Sequence, residues 1–358
     1  MQRDFLLHRP RIDPEWETVA PHIRGKRVLV TGAGGSIGSE LCRQMMEYGP
    51  EQLVLLGRGE NSIFEIDVEL QEKGHAACLI PVIVDIRDKS KLERVYREYR
   101  PQLVFHTAAH KHVHLMERHV DEAVCNNIFG TQNVAQMALQ HGAEAFVLIS
   151  SDKAINPTSV YGATKKASEY IVQSLVAKGE TRFVVVRFGN VIRSRGSIIP
   201  LLERQICLGG PVTITHPKMT RFFMSIPEAA YLVLQSGAVA ESGQVCVLDM
   251  GESVKIMDLA NNLIEMAGLR PGIDIEIVFI GPRPGEKLVE EVAYSAGRLR
   301  STQWNKILLD EPDRIDFDYF QQKLEELGVC AAMGESNRLV ELLKEMVPTY
   351  AGGYVERC

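Results

Sequence analysis

From Lys26 to about Arg187, short apolar runs alternate with longer amphipathic ones. The runs at residues 27–31, 52–56, 79–84, 103–106, 145–150 and 183–188 are rich in β-branched residues and lack strict alternation of apolar and polar positions. A strand wetted on one face alternates, whereas one covered on both faces does not, so these runs predict a parallel sheet buried on both sides. Between them, residues 36–47, 61–72, 120–141 and 159–177 form amphipathic segments that predict helices. This rhythm predicts an α/β fold with a doubly wound parallel sheet over residues 25–190.

After Asn190 the rhythm breaks up. Turns rich in glycine and proline appear at Gly209-Gly210-Pro211, His216-Pro217 and Gly281-Pro282-Arg283-Pro284-Gly285, with helices expected around 227–236 and 256–266. Residues 191–312 therefore read as a smaller mixed α/β portion that binds the substrate and can interleave with the sheet domain. Residues 313–358 read as a helical segment with two amphipathic helices between Asp313 and Met346, and residues 1–24 as a surface arm. There is no internal repeat and no low-complexity tract.

Composition narrows the class. The 358 residues are 45% hydrophobic and 24% charged, which excludes disordered and fibrous proteins. The formal net charge is −6 with acids and bases interspersed, which argues against a nucleic-acid or membrane-surface binder. Seven cysteines are scattered without a Cys-x-x-Cys pair, so no metal site or disulfide framework is expected and a reducing cytoplasm is the natural compartment. The first 17 residues are polar and interrupted by proline, with no run fit for a signal peptide. No stretch reaches the roughly 18 apolar residues of a membrane span.

Candidate chemistry begins at Thr31-Gly32-Ala33-Gly34-Gly35-Ser36-Ile37-Gly38, which leaves the first expected strand and opens the first helix. Gly32, Gly35 and Gly38 allow a tight turn and let backbone N–H groups, with Ser36 and Ile37, meet a pyrophosphate at a helix N-terminus. That is the mark of a Rossmann domain binding a nicotinamide dinucleotide. The second strand ends in Leu56-Gly57-Arg58-Gly59-Glu60, where an acid would ordinarily hold the ribose 2′-hydroxyl of NAD. Arg58 there suits a 2′-phosphate, so NADP is expected, with NAD the alternative. Asp85 and Ile86, after the third strand, are placed to meet the adenine; alternatively Asp85 caps the helix beginning near Asp88.

Tyr161 and Lys165 stand at i and i+4, on one helical face. A nearby ammonium lowers a tyrosine pKa and equips it to exchange a proton with a hydroxyl. The fifth strand ends in Ser150-Ser151-Asp152-Lys153-Ala154, at the carboxyl edge where ligands bind in open α/β sheets. A dehydrogenase needs only Ser151 beside the tyrosine. The adjacent acid and base, Asp152 and Lys153, point to removal of a second proton and protonation of a leaving hydroxyl; the plainer alternative is a capping Asp152 and a solvated Lys153.

Taken together these residues resemble the extended short-chain dehydrogenase/reductase superfamily, and within it the UDP-N-acetylglucosamine 4,6-dehydratases of capsule and glycan biosynthesis. The resemblance runs from about Arg9 to Tyr294 and rests on ordered stretches: residues 25–32, 106–113, 151–158, 187–191, 216–224 and 283–287. It implies a closed redox cycle on a UDP-sugar, with a tightly bound cofactor that is regenerated. Tyr161 would be the base at O4, Lys165 its electrostatic partner, Asp152 the acid to O6 and Lys153 the base at C5. The same likeness implies that Ala108, Ala109, Lys111 and Asn127 line the cofactor, Asn127 also steadying the catalytic helix. His110, Lys111, Asn190, Arg195, Arg221, Arg283 and Glu286 would meet the UDP-sugar. A homo-oligomer is expected.

Two departures stand out. Many large dehydratases of this group carry Met at the position of Tyr161 and are fused to an N-terminal membrane portion, and this sequence shows neither feature. Arg193 also stands where relatives usually have Gly. Two other functions remain open on sequence alone: a UDP-sugar C4 epimerase, for which Tyr161 and Lys165 suffice, and a non-catalytic NADP-binding sensor module.

Overall fold

A computed structural model describes residues 16–352, and the expected arm's residues 1–15 and the C-terminal 353–358 lie outside the described residues. Its centre is a nine-stranded sheet built from β1 (Arg27–Thr31), β2 (Gln52–Gly57), β3 (Leu79–Ile83), β4 (Leu103–His106), β5 (Ala145–Ile149), β6 (Arg182–Arg187), β7 (Val245–Leu248), β8 (Leu299–Ser301) and β9 (Ile307–Asp310). Their order is β8-β9-β7-β6-β5-β4-β1-β2-β3. Pairing is parallel from β3 to β7 and antiparallel where β9 joins β7 and β8 joins β9.

The non-alternating apolar runs are explained by burial on both faces. Along β1, Val28 and Val30 enter one core and Leu29 the other; along β6, Val184 and Val186 oppose Phe183 and Val185. Successive side chains of a strand point to opposite faces, so both must be apolar when helices cover both. The strand order reverses between β1 and β4, and it is beside such a reversal that a doubly wound sheet opens a ligand crevice.

β7, β8 and β9 come from beyond residue 190, so the smaller portion supplies strands to the sheet. Two features depart from what the sequence leads one to expect. Trp16–Ile23 is a helix that buries Val19 and Ile23 in the main core, rather than part of a loose surface arm. The helix expected over 120–141 contains a π-helical turn at Val124–Phe129, which carries Asn126 and Asn127. Such turns insert a residue and re-aim side chains, often beside functional sites.

The C-terminal helices Phe317–Met333 and Ser336–Met346 pack Leu324, Leu327, Leu339 and Leu343 against Val160, Ala163, Ala167 and Ile171 of the helix Val160–Leu175. Ser159 caps that helix by accepting a hydrogen bond from the Gly162 N–H at 3.1 Å. Gly162 is required where it stands, because a Cβ there would collide with the Lys153 carbonyl. The helix is thus seated directly on the turn after β5.

Candidate active site

Three adjoining cavities run along the carboxyl edge of the sheet. The first, about 340 Å³, is lined by Gly32, Gly34, Gly35, Arg58, Asp85, Ile86, Ala108, Ala109 and His110. The second, about 490 Å³, holds Ser36, Ile37, Gly38, Lys111, Ser151, Lys153, Tyr161, Lys165 and Asn190. The third, about 230 Å³, is reached past Lys111, Lys153 and Asn190 and takes in Arg221, Arg283, Glu286, Lys287 and Glu290.

The first two suit a nicotinamide dinucleotide. The helix Ser36–Glu47 starts at Gly35 without a side-chain cap, which leaves its N-terminal dipole facing the cleft. A Cβ on Gly38 would strike the Gly32 carbonyl, so the turn closes only with glycine. Thr107 secures it by donating to the Thr31 carbonyl at 2.7 Å. At the far end Arg58 is half-exposed and 3.7 Å from Asp85, whose carboxylate is gripped by Arg87 at 2.7 Å. Asp88, rather than Asp85, caps the following helix.

Tyr161 is buried at the floor of the second cavity with Lys165 one turn on. Burial raises the Tyr161 pKa, against a lowering from its hydrogen bond with Ser151 and from the Lys153 charge. Burial also brings Lys165 down to about 8, with Glu169 opposing. The net direction is upward, so the lowering expected from Lys165 does not appear; the ammonium that acts downward is that of Lys153.

Asp152 lies one layer behind the cavity wall. It is 1% exposed, and its Oδ1 accepts from the Ser151 hydroxyl at 2.9 Å and from Lys153 Nζ at 3.1 Å. Burial raises its pKa despite the Lys153 charge, with Glu290 adding to the rise. Lys153 Nζ also lies 3.1 Å from Glu290 Oε1 and 3.3 Å from Asn190 Oδ1. Burial works against its charge, but the Asp152 and Glu290 carboxylates outweigh that and hold its pKa above the usual lysine value. Lys153 is thus a clamped ammonium, whereas a base at C5 must be neutral when it acts.

Several assigned positions shift. His110 faces the cofactor side: its Nε2 lies 3.7 Å from Glu122, and burial together with Arg58 keeps its pKa below the usual value. Arg195 lies over the glycine turn, its N–H donating to Ser36 Oγ at 3.0 Å and its guanidinium to the Gly34 carbonyl at 3.1 Å. Both line the cavities that also hold the glycine turn, and neither lines the third cavity. Asn127 is fully buried and lines none of these three cavities. Its amide bonds the His110 N–H at 2.8 Å, the His110 carbonyl at 3.0 Å and Thr164 Oγ1 at 3.1 Å, tying the loop after β4 to the helix Val160–Leu175. Arg193 takes φ 58°, a left-handed conformation that favours glycine, and points outward to Glu203 at 2.6 Å. Its side chain lines none of the three cavities. Glu290, buried beside Lys153 and Arg221, escaped the sequence reading.

The residues from 28 to 312 match the family model for polysaccharide biosynthesis proteins. The chain belongs to the polysaccharide biosynthesis protein family. Its fold is that of the extended short-chain dehydrogenases/reductases. The chain is 53% identical over 289 residues to the capsular polysaccharide biosynthesis protein CapD of Staphylococcus aureus, covering 80% of this chain and 48% of that protein. It thus spans about half the length of that relative. It is 35% identical over 270 residues to a UDP-N-acetylglucosamine 4,6-dehydratase (inverting) of Campylobacter jejuni, covering 74% of this chain and 76% of the relative. The solved structure of Pen from Bacillus thuringiensis superposes with a TM-score of 0.74 at 33% identity, covering 80% of this chain and 90% of that one. No helix among the described residues is long and apolar enough to cross a membrane.

Proposed function

We propose that this family member is a nucleotide-sugar 4,6-dehydratase acting on UDP-N-acetylglucosamine with a resident NADP. The observation that carries the reading is the Ser151-Asp152-Lys153 turn packed against Tyr161. Oxidising a sugar hydroxyl needs one proton acceptor; this site holds a second acid and a second base beside it. The Campylobacter relative's name supports the same reaction, and the half-exposed Arg58 supports NADP.

When bound, the nicotinamide exchanges a hydride with the sugar. Tyr161 takes the O4 proton, with Ser151 lining the same cavity. A ketone at C4 acidifies the C5–H bond, which lets Lys153 serve as base. Asp152, whose pKa burial raises, gives its proton toward O6 through the Ser151 hydroxyl at its Oδ1. Arg221, Arg283 and Lys287 in the third cavity suit a diphosphate, which guanidinium forks bond bidentately.

Incubation with UDP-N-acetylglucosamine is expected to give a product lighter by one water with no net reduction of added cofactor. An isomer of unchanged mass, as an epimerase would make, overturns the reading. A pH profile gives a second expectation. Lys165 carries its charge below about pH 8 and loses it above, so kcat/KM should fall as pH rises through about 8. Lys165→Arg, whose guanidinium does not deprotonate, should move that limb upward. An unmoved limb would take Lys165 out of the reaction.

A further inference from the structure

Lys153 has a difficulty as the C5 base: an ammonium held between the Asp152 carboxyl group and the Glu290 carboxylate, each 3.1 Å away, has no lone pair with which to take a proton. It must first lose one to a neighbour. Two buried oxygens beside it have no hydrogen-bond partner, Asp152 Oδ2 and Glu290 Oε2. Asp152 must begin the elimination protonated if it is to supply O6, so it is closed as an acceptor. Glu290 is left. Facing it are Lys153 from the turn after β5, Arg221 at 3.6 Å from the strand Thr220–Arg221, Lys287 on its own segment, and Asp152 behind Lys153. Burial raises the Glu290 pKa, but the three cations outweigh that and hold it below the usual carboxylate value, so it takes a proton only transiently.

We propose that Glu290 is a positioning residue that holds the Lys153 proton while Lys153 works as the base at C5. This rests on the dehydratase reading. The Nζ–H bond breaks and an O–H bond forms on Glu290, leaving a neutral amine. The C5–H bond then breaks, its proton going to the amine and its electron pair forming the C5–C6 double bond. The C6–O6 bond breaks with it, and O6 takes the Asp152 proton and leaves as water. When hydride adds at C6, the Lys153 ammonium returns a proton to C5, and Glu290 returns its own to the amine. The proton Tyr161 took from O4 recharges Asp152 through Ser151, which bonds Asp152 Oδ1 and lines the same cavity as Tyr161.

The test separates oxidation at C4 from elimination. Glu290→Gln keeps the shape but cannot hold the extra proton. In single turnovers with UDP-N-acetylglucosamine, the absorbance of reduced nicotinamide should rise at close to the wild-type rate. Release of the dehydrated product and solvent deuterium entry at C5 should both slow by about 100-fold or more, the usual reach of a positioned proton-transfer group. Glu290→Asp, which keeps the charge but draws it back, should fall between the two, and it carries the test if the glutamine variant does not fold. Dehydration at the wild-type rate in either variant, or oxidation and elimination slowed alike, overturns the proposal. A wild-type enzyme that releases no water overturns the dehydratase reading and this inference with it.

Discussion

Tyr161→Phe is expected to lower kcat on a nucleotide sugar by about 10²–10⁴-fold, the range for losing a positioned general base. The ring is packed in the cluster formed by Val160, Ala163, Ala167 and the C-terminal helices, and phenylalanine keeps that packing while deleting only the phenol oxygen. Cofactor affinity and thermal midpoint should therefore stay near wild type. Because oxidation at C4 precedes everything else, the variant should also show no transient reduction of the nicotinamide. That separates it from Glu290→Gln, which should oxidise and then stall. Turnover within a few-fold of wild type would remove Tyr161 from the reaction.

Arg187→Leu is expected to destabilise the fold by about 3–5 kcal/mol, the cost of stranding a buried charge. Arg187 ends β6 beneath the site, and its guanidinium bonds both oxygens of Glu169, at 2.7 and 2.6 Å, and Asp310 Oδ2 at 2.5 Å. Glu169 also receives the Ser150 hydroxyl at 2.6 Å and Lys166 at 3.2 Å, while Lys166 and Arg298 reach Asp313 at 2.6 and 2.9 Å. The cluster joins the catalytic helix to β6, β9 and the segment leading to the C-terminal helices. Removing the arginine leaves Glu169 and Asp310 out of water without their main partner. Urea unfolding should show the loss, and adding Glu169→Gln should recover part of it by neutralising one stranded charge.

The same cluster predicts an acid response. Burial alone would raise the Glu169 pKa, but Arg187 and Lys166 bring it down from the ordinary 4.5 to about 2. A carboxylate whose folded pKa is depressed adds stability above its unfolded pKa and loses it as pH falls through the folded one. The contribution should be full above about pH 4.5 and disappear toward about pH 2. Arg187→Leu should flatten this dependence, and an unchanged acid profile would contradict the assignment.

What was legible along the chain was carried by local signals. Apolar runs without alternation located β1 to β6 to within a residue at either end, because two-sided burial demands apolar neighbours in sequence. The glycine turn and the Tyr161–Lys165 spacing were legible because a tight turn and a helical face are made by residues close together. The π-turn at Val124–Phe129 left no such mark, and with it went the reason Asn127 points at the His110 backbone.

By itself, then, the sequence determined the doubly wound sheet, the dinucleotide turn and the group Ser151, Asp152, Lys153, Tyr161 and Lys165, all written in short-range pattern. Only the tertiary structure decided what surrounds them. It laid Arg195 over the glycine turn, turned His110 to Glu122, and brought β7, β8 and β9 back into the sheet. It also separated two adjacent glutamates: Glu291 reaches Asn156 and Lys287 at the surface, while Glu290 is buried against Lys153 and Arg221. The physical reason is that burial and charge pairing depend on which segments meet in space, and a carboxylate's neighbours along the chain do not say whether it will face water or an ammonium.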